Sequence, residues 1–156
     1  MHTDPRTIVK KRIKLLTKIV KKMNKNMDKM LKYSAKKKWR KMNLHFKGLV
    51  GYAQGASKAS RQTEHLAKDL KMLGIALLRN LSQAKITPAQ FNEAIRKDFL
   101  GTKMALVQAI ENKKKELTAQ LIMLKKMPKA KIIQMHKSKI LHIPKAKAGV
   151  MRRKAA

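Results

Sequence analysis

The sequence predicts an all-α protein composed of a long basic N-terminal helical arm of helix-turn-helix form, a small C-terminal helical bundle and a basic C-terminal tail. Three observations lead there. Apolar residues return every three or four positions through most of the chain, and no stretch alternates with the period of two that a strand requires. Helix-start signatures precede those periodic runs. Charge is both extreme and uneven: 40 Lys and Arg stand against 8 Asp and Glu in 156 residues, a formal charge of +32. Residues 1–60 hold 18 basic and 2 acidic side chains, 61–116 hold 11 and 6, and 117–156 hold 11 and 0. The expected organisation is therefore an arm over 1–47, a small-residue connector over 48–60, a helical body over 61–127 and a tail over 128–156.

The arm opens at Asp4-Pro5, where Asp4 can cap free backbone N–H groups and Pro5 suits the first helical position. Val9, Ile13, Leu16, Val20, Met23, Met27 and Met30 then follow at spacings of four and three, an apolar seam along one face. Lys11, Lys14, Lys18, Lys21, Lys25, Lys29 and Lys32 keep the same rhythm two residues out of step, which places them on the opposite face at 3.6 residues per turn. Asn24-Lys25-Asn26 is the expected break between two helices, the second running through Trp39 and Met42 toward Phe46.

The connector carries Gly48, Gly51 and Gly55 and is expected to act as a hinge, with close helix packing as the competing reading. Ser57 or Ser60 can cap the next helix, which reaches about Leu81 with Leu66, Leu70, Leu73, Leu77 and Leu81 as its apolar set. Thr87-Pro88-Ala89-Gln90 combines an N-cap, a first-turn proline and the glutamine of a capping box. Phe91, Ile95 and Phe99 follow on one face. Gly101-Thr102 is expected to separate that short helix from a longer one through Leu106, Ile110, Leu117, Leu121 and Leu124, ended by Pro128. In the tail, Ile132-Ile133, Ile140-Leu141 and Ile143 suit a short helix or an extended docking strip.

Composition excludes several function classes. There is no cysteine, hence no disulfide framework, thiolate metal site or cysteine nucleophile. No run approaches a membrane span. The N-terminal segment is amphipathic and nearly acid-free like a transit peptide, but it is rich in lysine rather than arginine and is expected to belong to the working protein. His2, His45, His65, His136 and His142 show no metal-ligand spacing, so no metal and no cofactor is expected. Glu64, Asp69, Glu93, Asp98, Glu111 and Glu116 sit beside Lys or Arg at helical spacing and are expected to pair within their helices rather than do acid–base work. No phosphate-binding glycine loop or nucleophile elbow occurs, and the chain is expected not to be an enzyme.

A charge of this size calls for a polyanion, because self-repulsion opposes compaction and phosphate contacts release condensed counterions. Lysine far outnumbers arginine, which favours point-charge contact with phosphate over bidentate reading of bases. Only three Phe, two Tyr and one Trp are available to stack on splayed bases. Trp39, within Lys36-Lys37-Lys38-Trp39-Arg40-Lys41, is a candidate groove or stacking contact, and equally the apolar anchor of the second helix. Sequence-independent binding of a duplex is the expectation.

Taken together, the arm from Asp4 to Phe46, the connector from Gly48 to Ser60 and the helices from Arg61 to Met127 resemble the major coat proteins of filamentous and rod-shaped double-stranded DNA viruses of hyperthermophilic archaea. The resemblance is one of architecture. It implies an arm that wraps linear double-stranded DNA in the A form, a bundle facing outward, and self-assembly with copies of the chain or a related coat subunit into a helical capsid within a virion. It assigns Lys11, Lys14, Lys18, Lys21, Lys25, Lys29, Lys32, Lys36 and Arg40 to phosphate contacts and the apolar seam to packing against another arm. The readings set against it are an RNA-binding structural protein of the ribosome and a histone-like chromosomal protein of the nucleoid. A lysine-faced amphipathic arm also suits an anionic lipid surface, including a viral envelope.

Overall fold

A computed structural model describes residues 4–127, and every regular element among them is helical. Helix α1 spans Pro5–Ala35, α2 Trp39–Gly55, α3 Arg61–Ser82, α4 Pro88–Ala94 and α5 Leu100–Lys125. A 3-10 turn at Ser57–Ala59 links α2 to α3, and a π turn at Ile95–Phe99 carries α4 into α5 without a break. The expected tail, with its Ile132-Ile133 and Ile140-Leu141 strips, and Pro128 lie outside the described residues. Helix α5 stops at Lys125, and Lys126 and Met127 close it with N–H groups donating to the carbonyls of Met123 and Leu124.

The chain divides into two compact units. One, Ile13–Glu116, holds the main core: Met23, Met27 and Met30 of α1, Met42 and Leu49 of α2, Leu70 of α3, Phe91, Ile95 and Phe99, and Leu106 and Ile110 of α5 are all shut off from water. The other unit, among the described residues, joins 4–12 to 117–127, and in it Val9, Leu117 and Leu124 are buried.

The helix starts follow their capping chemistry. The Arg6 N–H donates to Asp4 Oδ1 at 2.9 Å, so Asp4 caps α1 ahead of Pro5. Ser60 and Thr63 bond reciprocally at the head of α3, the Thr63 N–H donating to Ser60 Oγ at 3.1 Å and the Ser60 N–H to Thr63 Oγ1 at 2.8 Å. Thr87 and Gln90 do the same for α4, at 3.1 and 2.8 Å.

Three expected boundaries fall elsewhere. Helix α1 runs through Asn24-Lys25-Asn26, because both asparagines find partners that offset their weak helix preference. The Asn26 amide donates to the Lys22 carbonyl at 3.0 Å and its oxygen faces His45 Nδ1 at 3.0 Å, while Asn24 Oδ1 accepts from the Lys103 ammonium. The break comes instead at Lys36–Lys38. Lys37 takes the left-handed conformation (φ 58°), its N–H donates to the Ser34 carbonyl at 3.0 Å, and the Lys38 N–H donates to that of Tyr33 at 2.9 Å. This is a Schellman ending with lysine where glycine is usual.

Nor is 48–55 a hinge. Helix α2 continues to Gly55, and one of its glycines serves close packing: a Cβ on Gly48 would stand 3.1 Å from Asn26 Oδ1, whereas one on Gly55 would make only ordinary contact with Ile19, at 3.6 Å. Only Ala56–Ser60 connects, so the expected division between arm and body over 48–60 is not where the helices part. Nor does Gly101-Thr102 separate helices. Phe91, Ile95 and Phe99 are four residues apart, a spacing that drifts around a regular helix by about 40° each time. A π turn widens the coil at Ile95–Phe99, and all three side chains are buried.

On α3 the buried row is Thr63, Ala67, Leu70 and Gly74, with most of the expected leucines flanking it half-buried. Small residues occupy this row because α3 packs against α2, and Gly74 admits the Phe46 ring, which a Cβ there would strike. Phe46 in turn meets Phe99 with ring centroids 5.9 Å apart. Gly74→Ala is expected to destabilise by about 1–3 kcal/mol, the range for overpacking a filled core. Lys37→Gly is expected to stabilise by up to ~1 kcal/mol by relieving the left-handed backbone. Chemical denaturation of the two variants checks both signs.

Candidate nucleic-acid interface

Helix α1 carries eleven Lys and Arg and one carboxylate, Asp28. Because Met23, Met27, Met30 and Ser34 face the core, the 100° step per residue turns Lys14, Lys18, Lys21, Lys25 and Lys32 to the opposite side. All five are exposed, as are Lys11, Lys36 and Arg40, while Lys29 is half-buried. Among the described residues, none of these nine cations forms an ion pair. Lys32 lies over the ring of Tyr33, 5.6 Å from its centroid.

The carboxylates of the later helices are differently placed. Glu93 accepts from Lys97 at 2.9 Å, Lys114 stands 3.4 Å from Glu111, Lys113 3.8 Å from Glu116, and His65 3.4 Å from Asp69. These are turn-to-turn pairs within helices, and the first lowers the Glu93 carboxyl below its ordinary range through the Lys97 hydrogen bond and charge. The Glu93–Lys97 and His65–Asp69 pairs are exposed, which makes each worth little in stability. The α1 face is thus the large uncompensated positive surface of the described chain.

The apolar seam behind that face is used within the molecule. Val9, Leu16, Met23, Met27 and Met30 are buried and Ile13 and Val20 half-buried. The expectation that the seam packs against another arm is corrected accordingly: residues of this chain already cover it. Trp39 is likewise an anchor rather than a free stacking platform. At the head of α2 it is half-buried and meets Phe91 edge-to-face, with centroids 5.6 Å apart at 88°.

Two polar links fix α1 in place, and the sequence does not reveal either. Lys103 is buried on α5; its ammonium donates to Asn24 Oδ1, burial lowers its pKa, and the Asp28 charge works against that shift. Ser34 Oγ donates to Asn92 Oδ1 of α4. Beside the lysine face, His45 of α2 faces Asn26 Oδ1 and stacks on Tyr33 at 5.5 Å and 18°. Its pKa is lowered, first by burial and then by the charges of Lys29 and Lys25. Nothing in the local sequence around His45 marks it, since the pairing joins residues nineteen positions apart.

No group of three His, Cys, Asp or Glu that could hold a metal occurs among the described residues. A cleft between α2 and α3, about 260 Å³, is lined by Gln54, Ser57, Glu64, Lys68 and Lys71 with Val50 and Ala67, a mixed-charge surface without a nucleophile–base pair. No described helix is long and apolar enough to cross a membrane. No family model, curated protein or solved structure matches the chain.

The depressed His45 pKa sets a pH dependence. The unfolded chain takes up a proton at the ordinary imidazole value of about 6.5, before the folded chain does, so stability is full above that value and falls as the pH drops through it toward the folded value. Thermal denaturation between pH 7.5 and 5.5 is expected to show this loss in the parent chain and a smaller one in His45→Gln.

Proposed function

We propose that the chain is a structural, non-catalytic nucleic-acid-packaging protein that coats linear double-stranded DNA without reading its sequence, using the lysine face of α1. The observation that carries this reading is the row of exposed, unpaired lysines on one side of a helix whose other side is locked into a core. Lysines of this kind meet phosphate as point charges and gain from counterion release whatever the base sequence. A membrane-surface helix would need an apolar face free to enter lipid, and that of α1 is spent within the protein.

Packaging of the coat-protein kind, in which many copies line one duplex as a helical filament in a virion, extends the same reading. With the α1 seam covered, contacts between copies would fall on other surfaces, among which Leu44 and Met72 stand half or more exposed. The phosphate contacts proposed are Lys14, Lys18, Lys21, Lys25, Lys29, Lys32 and Lys36, with Lys11 and Arg40 beyond them.

Titration onto a linear duplex of about 60 base pairs at several salt concentrations, with structured RNA as competitor and the product imaged, tests the proposal. Steeply salt-dependent, sequence-indifferent coating is expected. Replacing Lys14, Lys18 and Lys25 by Gln is expected to lower the salt slope by roughly one unit per lost contact. An unchanged slope removes α1 from the interface, and preferential capture by RNA moves the partner to a folded RNA.

A further inference from the structure

We infer that the phosphate-binding surface crosses from α1 onto α2 at a cluster of Tyr33, Lys41 and His45, and that His45 takes up a proton when a duplex is bound. This deepens the function proposed above and rests on it.

The first ground is where α2 brings its cations. Tyr33 of α1 is the meeting point. The Lys32 ammonium of α1 stands 5.6 Å from its ring centroid and the Lys41 ammonium of α2 stands 5.5 Å from it, so one ring gathers a cation from each helix. The same ring stacks on His45. Lys32 and Lys41 are exposed, and among the described residues neither forms an ion pair. A phosphate that meets Lys32 therefore has a cation of α2 and an imidazole beside it.

The second ground is the proton already on that imidazole. The Asn26 amide nitrogen donates to the Lys22 carbonyl, which leaves its oxygen to face His45 Nδ1 at 3.0 Å. An amide oxygen only accepts, so Nδ1 carries the hydrogen of the neutral ring. Nε2 is the nitrogen left to take a second proton.

The third ground is the charge around the ring. From α1, Lys25 and Lys29 act on it and Tyr33 stacks on it, and on α2 itself Lys41 lies one turn before it. On α3, which also packs against α2, Glu64, Lys68 and Lys71 line the cleft at Val50, Gln54 and Ser57, further along α2. Among the described residues no carboxylate pairs with His45. In the free protein this positive neighbourhood adds to burial in disfavouring the imidazolium. Lys25 and Lys29 are among the phosphate contacts proposed above. Phosphates seated on them bring negative charge to the same place and favour the imidazolium. Binding then draws a proton from solvent, and affinity rises as the pH falls through the range where the free ring is neutral and the bound ring charged.

The test uses the full chain and a duplex of about twelve base pairs, with calorimetric titrations at about pH 6 and pH 8 in buffers of different ionisation enthalpy to count protons. The other histidines contribute alike to parent and variant. At the lower pH the parent is expected to take up as much as about one proton more than His45→Gln, worth at most about tenfold in affinity per pH unit, and at the higher pH the difference is expected to vanish. Lys41→Gln is expected to lower the salt slope by about one unit. The His45 ring resonance of the parent, followed against pH by NMR with and without duplex, needs no substitution, and its titration is expected to move to higher pH in the complex. Equal proton uptake by parent and His45→Gln, a ring titration that stays in place or moves down, or an unchanged slope in Lys41→Gln, each beside steeply salt-dependent binding by the parent, overturns the inference and leaves the proposed function standing. Binding by the parent that does not depend on salt overturns both.

Discussion

Met23, Met27 and Met30 occupy one side of α1 and are closed off from water, and their burial determines where every cation of that helix can go. A buried side chain of this size contributes about 1.5–3 kcal/mol, so the row outweighs any single surface interaction on the opposite side. Methionine is suited to the task because its unbranched chain fills irregular space between helices. With the apolar side anchored, the lysines of the other side have one direction left, outward. Their mutual repulsion is tolerable because they are solvated and screened over about 8 Å at physiological salt.

The contacts that hold the helix in register are polar and long in sequence separation. Asn24 accepts from the buried Lys103, Asn26 meets His45, and Ser34 reaches Asn92. Each asparagine sits where an isolated helix is prone to break, and each is tied by a partner from another helix. Tertiary contact therefore decides that α1 is one rod rather than two. Asn26 is also where α2 comes close: Gly48 removes the side chain that would stand against it. Packing and surface geometry are thus one problem, since the straightness of the lysine row depends on the far side of the helix.

Much of this was legible in the amino-acid order and some was not. Helix class, the starts at Pro5 and Pro88, and the opposition of the methionine and lysine rows follow from periodicity and capping chemistry, which act within four residues; for α3 the same chemistry offers Ser57 or Ser60, and the cap is Ser60. The end of α1 is not legible because its stop uses Lys37 in a left-handed conformation that lysine does not advertise, whereas Gly48, Gly51, Gly55 and Gly101, the residue type that usually marks such stops, lie within helices. The π turn hides in an apparently regular four-residue spacing. Thr63, Ala67 and Gly74 escape a search for large apolar residues, because on α3 the tight contact is made by small ones. For the candidate interface, the lysines themselves were readable; that the seam behind them is filled by the same chain, and that Trp39 is held by Phe91, depends on which helices meet.

The central claim is that the outward face of α1, and not basic charge in general, meets the nucleic acid. Lysine reactivity toward an amine-selective reagent, mapped by mass spectrometry with and without saturating duplex DNA, measures this most directly. The account predicts protection concentrated at Lys14, Lys18, Lys21, Lys25 and Lys32, with Lys68, Lys71 and Lys115 labelled as before. Protection spread evenly over all exposed lysines, or concentrated on α3 and α5, would contradict it.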